Sequence, residues 1–156
     1  MARSTAGSTA RSTDHPSIVD QISSECLLGH WRRVNRVLSG IYEGEMRDWG
    51  LKSSQLNLLV AVAKAGPARR IDLGKRLHLD PSTLTRNLKV MLKHGWIEEK
   101  PDEEDQRSAR LKITPKGRKL LDSIAPAWKR AQARARQVLG SEGAALVLGL
   151  KERVRP

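Results

Sequence analysis

The chain has 156 residues, of which 38% are hydrophobic, and a formal net charge of +12 at pH 7. This length is typical of one domain with a real core. No apolar run of about 18 residues occurs to suggest a membrane span, and one cysteine excludes an internal disulfide. Residues 51–156 hold 23 Lys or Arg against 11 Asp or Glu, so the charge predicts a polyanionic partner.

The first two segments of the chain differ in pattern. Residues 1–16 are rich in Ser, Thr, Ala and Arg without an apolar period, which predicts a disordered basic tail. A transit peptide has a similar composition but would also be amphipathic. From Ser17 to Asp48 apolar residues recur at spacings of three to five, which predicts one long helix. One small domain cannot cover so long an apolar stripe, so the helix needs another chain or a C-terminal helix to pack on.

Two helices with a very short connection are predicted further along the chain. Ser53 is expected to cap a helix that ends at Gly66. Residues 71–77 form the next, short helix, and three residues separate it from a helix over residues 81–94. Two helices joined by so short a turn, the second of them basic, predict a helix-turn-helix. The buried face of the helix after Ser53 is expected to hold Leu56, Leu59, Val60 and Ala63.

The helix of residues 81–94 has signals at both ends and two chemically different faces. Asp80 can cap its free N–H groups, Pro81 fits its first position, and Gly95 supplies the left-handed residue that ends it. A solvated surface helix has this pattern too, but a cationic face with hydroxyl groups and no acid suits the DNA major groove. That face carries Ser82, Thr83, Arg86, Lys89 and Lys93, and the stripe to be buried holds Leu84, Leu88, Met91 and Leu92.

After Gly95 the apolar period changes from helical to alternating. Residues 96–100 and 109–113 are predicted to be two short strands, with a polar hairpin tip between them. A helix-turn-helix followed by such a hairpin, the wing, is typical of the winged-helix architecture. Residues 51–114 are therefore expected to form a winged helix-turn-helix region that binds DNA.

The rest of the chain returns to a helical pattern. A long helix is predicted from Pro115 to Val138, ending at Gly140, and a short apolar segment follows over residues 144–154. The short segment is expected to pack on the first helix. The expected fold is mainly α with a small β wing, a single domain overall.

Four motifs in this order closely resemble the MarR family of bacterial winged-helix regulators. They are Leu-His-Leu-Asp-Pro-Ser-Thr-Leu-Thr-Arg-Asn-Leu at residues 77–88, His94-Gly95-Trp96-Ile97, the stretch from Asp102 to Arg107, and Leu111-Lys112-Ile113-Thr114-Pro115-Lys116-Gly117. Each motif alone is weak, but the four together are specific. The resemblance implies an obligate homodimer in the bacterial cytoplasm, in which residues 17–50 form the N-terminal dimerisation helix and residues 115–156 the C-terminal dimerisation helices. Such a dimer binds near-palindromic operator DNA on the nucleoid, usually as a repressor.

The resemblance also implies which residues meet DNA. It places Arg86 where a bidentate contact to guanine is available, while Lys89 and Lys93 are expected to neutralise phosphates. In the family an Asp–Arg pairing fixes the wing tip and the Arg enters the minor groove, and Asp105 and Arg107 match those positions. A solvated loop residue is the alternative for Arg107. The expected DNA-binding residues are Ser82, Thr83, Thr85, Arg86, Lys89, Lys93, Arg107 and Arg110.

Many family members also bind a small aromatic or phenolic anion, and some sense oxidants through a cysteine. His30, Trp31 and Arg33 lie in the middle of the first helix and offer a stacking surface and donors for such an anion, with ordinary core and surface roles as the alternative. Cys26 is either the reactive thiol of an oxidant sensor or a buried structural cysteine. No cation adjoins it in sequence, as a reactive thiolate would need, and this favours the structural role.

The sequence indicates no enzyme, metal site or cofactor. Its four histidines lack ligand spacing, and the consecutive acids Glu103, Glu104 and Asp105 splay apart. The absence of Phe argues against a single-strand or RNA stacking module. Two other classes stay open. One is a nucleoid-architectural protein with little sequence preference, and the other is a protein-interaction module, against which the excess of Lys and Arg argues.

Overall fold

A computed structural model describes residues 17–102, 109–150 and 153 of the chain. The predicted tail over residues 1–16 and most of the predicted wing tip, residues 103–108, lie outside this part. The described fold is mainly α with one small antiparallel sheet, as predicted. No helix within the described ranges is long and apolar enough to cross a membrane.

Six α-helices and three strands make up the described chain. The predicted single helix from Ser17 to Asp48 is wrong, because Cys26 adopts an extended backbone between two helices and a 3-10 turn follows the second. The elements in order are α1 (Ile18–Glu25), α2 (Leu27–Glu45), the 3-10 turn Arg47–Trp49, α3 (Ser53–Ala65), β1 (Ala68–Arg69), α4 (Arg70–Leu77), α5 (Pro81–Lys93), β2 (Ile97–Pro101), β3 (Ala109–Ile113) and α6 (Pro115–Gly149).

The chain divides between Arg36 and Val37 into two compact units. In the first unit Ser17 caps α1: its hydroxyl accepts a hydrogen bond from the backbone N–H of Asp20, whose carboxylate accepts one in return. This reciprocal capping box explains where α1 begins. The apolar side chains of α1 are exposed, with Ile18 at 66% and Val19 at 71%.

The second unit contains the hydrophobic core, built on α3. Lys52 rather than Ser53 is the residue before α3, and its N–H donates to the Gln55 side chain at 3.0 Å. Of the predicted buried face of α3, Leu56 and Leu59 are buried and Ala63 is half-buried, whereas Val60 is 45% exposed. The largest fully buried apolar side chains of the core are Met46, Leu58, Leu59, Leu73, Leu88, Met91, Ile97 and Leu111, with Ile124 and Val62.

The sheet has the strand order β1-β3-β2, and β3 pairs antiparallel with both neighbours. The hairpin of β2 and β3 confirms the two predicted strands, shifted by one residue in β2. The two-residue strand β1, with Arg69 opposite Arg110, has no counterpart in the sequence prediction. Because β1 pairs with β3 and leads directly into α4, it connects the helix-turn-helix to the wing.

Helix α6 has two limbs. The backbone of Gly140, with φ 68° and ψ 174°, is not helical and interrupts α6. Glycine adopts this conformation at little energetic cost because it has no Cβ. The predicted end of the long helix at Gly140 is therefore confirmed. At the start of α6 the backbone comes very close to Trp96, the residue before β2: a Cβ added to Gly117 would lie 2.1 Å from the Trp96 carbonyl oxygen. This contact fixes α6 against the wing.

Candidate nucleic-acid interface

The N-terminus of α5 is capped by Asp80, as predicted. Its Oδ1 atom accepts hydrogen bonds from the backbone N–H groups of Ser82 and Thr83, at 3.1 and 2.9 Å, and from the Ser82 hydroxyl at 2.6 Å. Bonds from Ser82 and then Thr83 hold the pKa of the Asp80 carboxyl far below its usual range. The cap thus remains charged at neutral pH and fixes the first turn of α5, which carries the predicted base-reading residues.

The turn between α4 and α5 is compact. His78 ends α4 in the left-handed conformation, φ 49°, and its N–H bonds back to the last turn of the helix. A Cβ at Gly74 would lie 3.2 Å from Leu84 Cδ2, so a glycine at this position allows the close approach of α4 to α5. The two helices are packed directly on each other, with Leu73, Leu84 and Leu88 buried.

The face of α5 opposite this core is polar and positively charged. Arg86 lies along its own helix, with Nε 3.4 Å from the Ser82 carbonyl and an Nη 3.4 Å from the Thr83 hydroxyl. The Thr85 hydroxyl donates to the Pro81 carbonyl at 2.7 Å, which leaves its oxygen available as an acceptor. Of the predicted face, Ser82, Arg86, Lys89 and Lys93 are exposed and Thr83 is half-buried. Thr85, also predicted to contact DNA, is exposed.

At the root of the wing a buried acid joins all three strands. Asp102, directly after β2, is 1% exposed. Its Oδ2 lies 2.7 Å from Nε of Arg69 on β1, and its Oδ1 lies 2.9 Å from Nε of Arg110 on β3. Arg110, predicted from sequence to contact DNA, therefore has a structural partner in Asp102. Arg107 and Asp105 lie outside the described residues.

The acids of β2 are also compensated. Glu99 binds Arg70 at the start of α4, and Glu98 lies 3.5 Å from the ammonium group of Lys100. Acids on a wing would by themselves repel a polyanion, but each of these two has a cation beside it. Sequence analysis missed the pairs Arg69–Asp102 and Arg70–Glu99 because the two members of each pair are about thirty residues apart and form no local pattern.

The predicted ligand and redox residues belong to the first unit. A cleft of about 280 Å³ is lined by Cys26, His30, Arg33 and Arg36 among others, but Trp31, 49% exposed, is not part of its lining. The structure thus brings together two of the three predicted ligand residues. Cys26 is half-buried between α1 and α2, and its Sγ accepts a hydrogen bond of 3.4 Å from the N–H of Gly29.

The arrangement of these elements defines the class of the protein. A compact helix-turn-helix of α4 and α5, a β2–β3 hairpin behind it and a short strand that completes the sheet form a winged helix-turn-helix. Residues 51–109, from just before α3 to the first residue of β3, match the sequence model of the MarR family. Over this part of its length the chain is similar to the MarR family.

Known relatives and solved structures agree with this assignment. The chain is 29% identical over 89 residues to the multiple antibiotic resistance protein MarR of Salmonella typhimurium; the match covers 57% of this chain and 62% of the relative. A mutant MarR from E. coli complexed with operator DNA has a TM-score of 0.76 at 20% identity, over 87% of this chain and 98% of that chain. Bordetella bronchiseptica BpsR, described as regulated in DNA binding by 6-hydroxynicotinic acid, has a TM-score of 0.74 at 20% identity, over 83% and 93%.

Proposed function

We propose that this protein is a sequence-specific, double-stranded-DNA-binding transcriptional regulator, acting in the bacterial cytoplasm on nucleoid DNA. The observation that carries the proposal is the exposed cationic face of α5, held in place by the Asp80 cap and by packing on α4. A helix of 13 residues fits the width of the major groove. A mutant MarR that shares this fold was solved in complex with operator DNA, which supports DNA as the partner.

The roles of the residues on that face follow from their chemistry. Arg86 has a planar guanidinium that can bind O6 and N7 of guanine together, so it is assigned to base reading. Lys89 and Lys93 stand one and two turns further along α5 as exposed point charges, and they are assigned to phosphates. Ser82, Thr83 and Thr85 offer hydroxyl groups at the N-terminal end of the same helix.

A homodimer on a near-palindromic operator is the second part of the proposal. Large apolar side chains are exposed on the second limb of α6, with Leu146 at 64%, and on α1 and the start of α2, with Leu27 at 86%. Exposed apolar side chains in this number are typical of surfaces that another chain covers. Two-fold symmetry would place two copies of α5 in successive major grooves, about 34–36 Å apart.

The third part concerns regulation: the protein represses until a small aromatic anion releases it from DNA. BpsR, which shares this fold, is described as regulated in its DNA binding by 6-hydroxynicotinic acid, and this supports control by a small aromatic anion. Such an anion can act only if it binds the DNA-incompetent arrangement better than the competent one. By linkage, DNA then lowers the affinity for the anion by the same factor.

An oxidant-sensing repressor remains a second candidate, favoured by the position of Cys26 beside His30 and Arg33 in one cleft. Peroxide would release such a protein from DNA, and Cys26→Ser would abolish that release. A response to organic acids that Cys26→Ser leaves intact would instead support the ligand mechanism. If peroxide but no organic acid releases the wild-type protein, and Cys26→Ser abolishes that release, the oxidant-sensing mechanism replaces the ligand mechanism.

The DNA proposal is tested by selecting bound duplexes from a random library and then measuring affinities for the selected and a random duplex. Arg86→Ala should cost about 1–3 kcal/mol on the selected duplex and far less on the random one. Lys129→Ala, at an exposed position of α6, is the matched control and should change neither. Equal losses for Arg86→Ala on both duplexes would remove the base-reading role. If no sequence is enriched, the low-specificity nucleoid function replaces sequence-specific regulation.

A further inference from the structure

The C-terminal end of α5 and the N-terminal end of α6 meet at Gly95, Trp96 and Thr114, which together form the α5–α6 junction. The first two of these residues close the last turn of α5. The Gly95 N–H donates to the Leu92 carbonyl at 2.9 Å, and the N–H of Trp96 donates to the Met91 carbonyl at 3.0 Å. Thr114 is the N-cap of α6. The junction lies entirely within the second unit.

One hydroxyl group binds both sides of the junction. The Thr114 hydroxyl donates to the carbonyl oxygens of Gly95 and Trp96, at 2.7 and 3.1 Å. Its oxygen accepts a hydrogen bond of 3.0 Å from the N–H of Gly117. A hydroxyl has one proton and two lone pairs, so the end of α5 takes its donor and the first turn of α6 takes an acceptor. The half-buried Thr114 side chain is thus a cap of α6 and a link to α5 at once.

Backbone and ring contacts surround this hydroxyl. The Thr114 N–H also donates to the Trp96 carbonyl, at 3.0 Å, and the same carbonyl oxygen would lie 2.1 Å from a Cβ at Gly117. The Trp96 ring is stacked on that of His94, the C-cap of α5, with 4.5 Å between the ring centroids. Trp96 is only 5% exposed. The junction is therefore closely packed, and such packing leaves few alternative arrangements of the two helices.

The junction joins the two helices on which DNA binding by a dimer depends. Helix α5 carries the cationic face assigned to DNA. The second limb of α6 carries exposed apolar side chains assigned to the dimer contact, Leu146 among them at 64%. The angle between α5 and α6 therefore determines how far apart the two α5 helices of a dimer lie. Because successive major grooves are about 34–36 Å apart, a rotation at each junction changes the fit of both helices.

We propose that Thr114 is a positioning residue for DNA recognition, whose hydroxyl fixes α5 relative to α6 and so sets the half-site spacing that the dimer accepts. In this role Thr114 acts through α5 and does not itself contact DNA. The proposal rests on the proposed function for its consequence on DNA, whereas the fixed arrangement of α5 and α6 can be measured without DNA.

Three substitutions at Thr114 separate the link from the cap. Thr114→Val keeps the branched shape and removes the hydroxyl. Thr114→Ser retains the hydroxyl and should behave as wild type. Thr114→Asp keeps an acceptor for the Gly117 N–H at a position where Asp is a favourable N-cap, but its ionised carboxylate has no proton to donate to Gly95. A residue that serves only as a cap would tolerate Asp, and a residue that links the helices would not.

The first measurement uses the full chain without DNA. Nitroxide labels are placed at Lys89→Cys on α5 and Lys129→Cys on α6, both at exposed positions, with Cys26→Ser to avoid a third label. Pulsed electron paramagnetic resonance, with an excess of unlabelled chain, gives the distance between the labels within one chain. We expect one narrow distance with Thr or Ser at position 114, and a broader or shifted distribution in Thr114→Val and Thr114→Asp.

Two results of this measurement would overturn the proposal. One is a broad distribution with Thr114 present. The other is an unchanged distribution in Thr114→Val and Thr114→Asp, each shown to be folded by circular dichroism. If Thr114→Val does not fold, Thr114→Asp decides, because it retains the cap of α6.

The second measurement concerns the half-site spacing. Affinities are measured for the selected duplex, for duplexes whose half-sites are one base pair closer or further apart, and for a single half-site. One base pair shifts a half-site by about 3.4 Å and rotates it by about 35°. Thr114→Val should reduce the preference for the selected spacing by about fivefold, the usual effect of one hydrogen bond, and leave half-site affinity unchanged. Thr114→Ser should retain the preference.

Ser123→Ala is the matched control for the spacing measurement. The Ser123 hydroxyl accepts from Nε1 of Trp49 at 3.0 Å and donates to the Leu120 carbonyl at 2.8 Å. Its loss therefore removes hydrogen bonds of α6 that do not involve α5, and the spacing preference should remain.

The outcomes distinguish the proposal from the proposed function. Equal losses in Thr114→Val on the half-site and the full site would mean that α5 itself is distorted, and an unchanged spacing preference in this variant would mean that Thr114 does not set it. Either result overturns the positioning role alone. If the wild type selects no DNA sequence, the proposed function of specific regulation is wrong, and the label distances still decide whether Thr114 fixes α5 relative to α6.

Discussion

The Nε atom of Arg69 lies 2.7 Å from Oδ2 of Asp102, which joins the short strand β1 to the residue directly after β2. The Asp102 side chain has no exposed surface, while that of Arg69 is 40% exposed. The arginine therefore remains partly hydrated and the acid does not. An acid in such a position depends on its cations, because a buried carboxylate without partners is strongly unfavourable.

Asp102→Asn should therefore lower the free energy of unfolding by about 1.5–3 kcal/mol, the usual contribution of hydrogen bonds to charged groups. Urea denaturation measures this loss. Glu98→Gln is the control, because Glu98 pairs with Lys100 at the surface and such pairs contribute about 0–1 kcal/mol. Similar losses of unfolding free energy in the two variants would mean that the burial of Asp102 does not increase the contribution of its ion pairs to stability.

This ion pair also shows where sequence reasoning reaches its limit. The bounds of α5 were predicted almost to the residue, because the Asp80 cap, Pro81 and Gly95 act on the backbone next to them. The pair Arg69–Asp102 joins residues 33 apart in sequence, and β1 has only two residues. Neither the pair nor the strand produces a periodic pattern of apolar residues in the sequence. Both arise only when distant parts of the chain pack together. The break at Cys26 was missed for a similar reason, since no Pro or Gly marks it.

A pH dependence is expected at the α5 cap. Hydrogen bonds from Ser82 and Thr83 lower the pKa of Asp80 in the folded state, so the charged cap stabilises the fold at pH values above the unfolded pKa of about 3.9. As the pH falls below about 4, that stabilisation is progressively lost. Wild type should exceed Asp80→Ala in stability by a constant amount from pH 5 to 7, and by less at pH 3, in thermal melts. A difference that grows on acidification would contradict the cap.

Two glycine substitutions should have opposite effects. In Gly117→Ala the new Cβ would meet the Trp96 carbonyl oxygen at 2.1 Å and Ile113 Cγ1 at 2.9 Å. Because backbone must move, the free energy of unfolding should fall by about 1–3 kcal/mol. Gly44→Ala, inside α2 with nothing within 4 Å of the new Cβ, should raise it by about 0.4–1 kcal/mol. Denaturant titration of both variants checks the signs, and equal signs would refute the contact at Gly117.

The phosphate role of α5 predicts a salt effect. Lys89→Ala should weaken selected and random duplexes alike and reduce the slope of log affinity against log salt by about one. Fluorescence anisotropy at a series of salt concentrations measures both quantities. Lys129→Ala on α6 supplies the control and should leave the slope unchanged. A loss confined to the selected duplex would instead make Lys89 a base-reading residue.

The exposed second limb of α6 is expected to contact the partner chain in the dimer. Leu146 is 64% exposed and Leu148 58% exposed, so a partner chain that covers this limb would bury both. Leu146→Asp should raise the dimer dissociation constant more than tenfold, about 1.4 kcal/mol or more, because an unpaired charge would enter an apolar contact. Leu146→Met keeps the volume and apolar character and should leave the constant nearly unchanged. Sedimentation velocity over a concentration series measures both variants, and a well-folded monomeric wild type would refute the assembly outright.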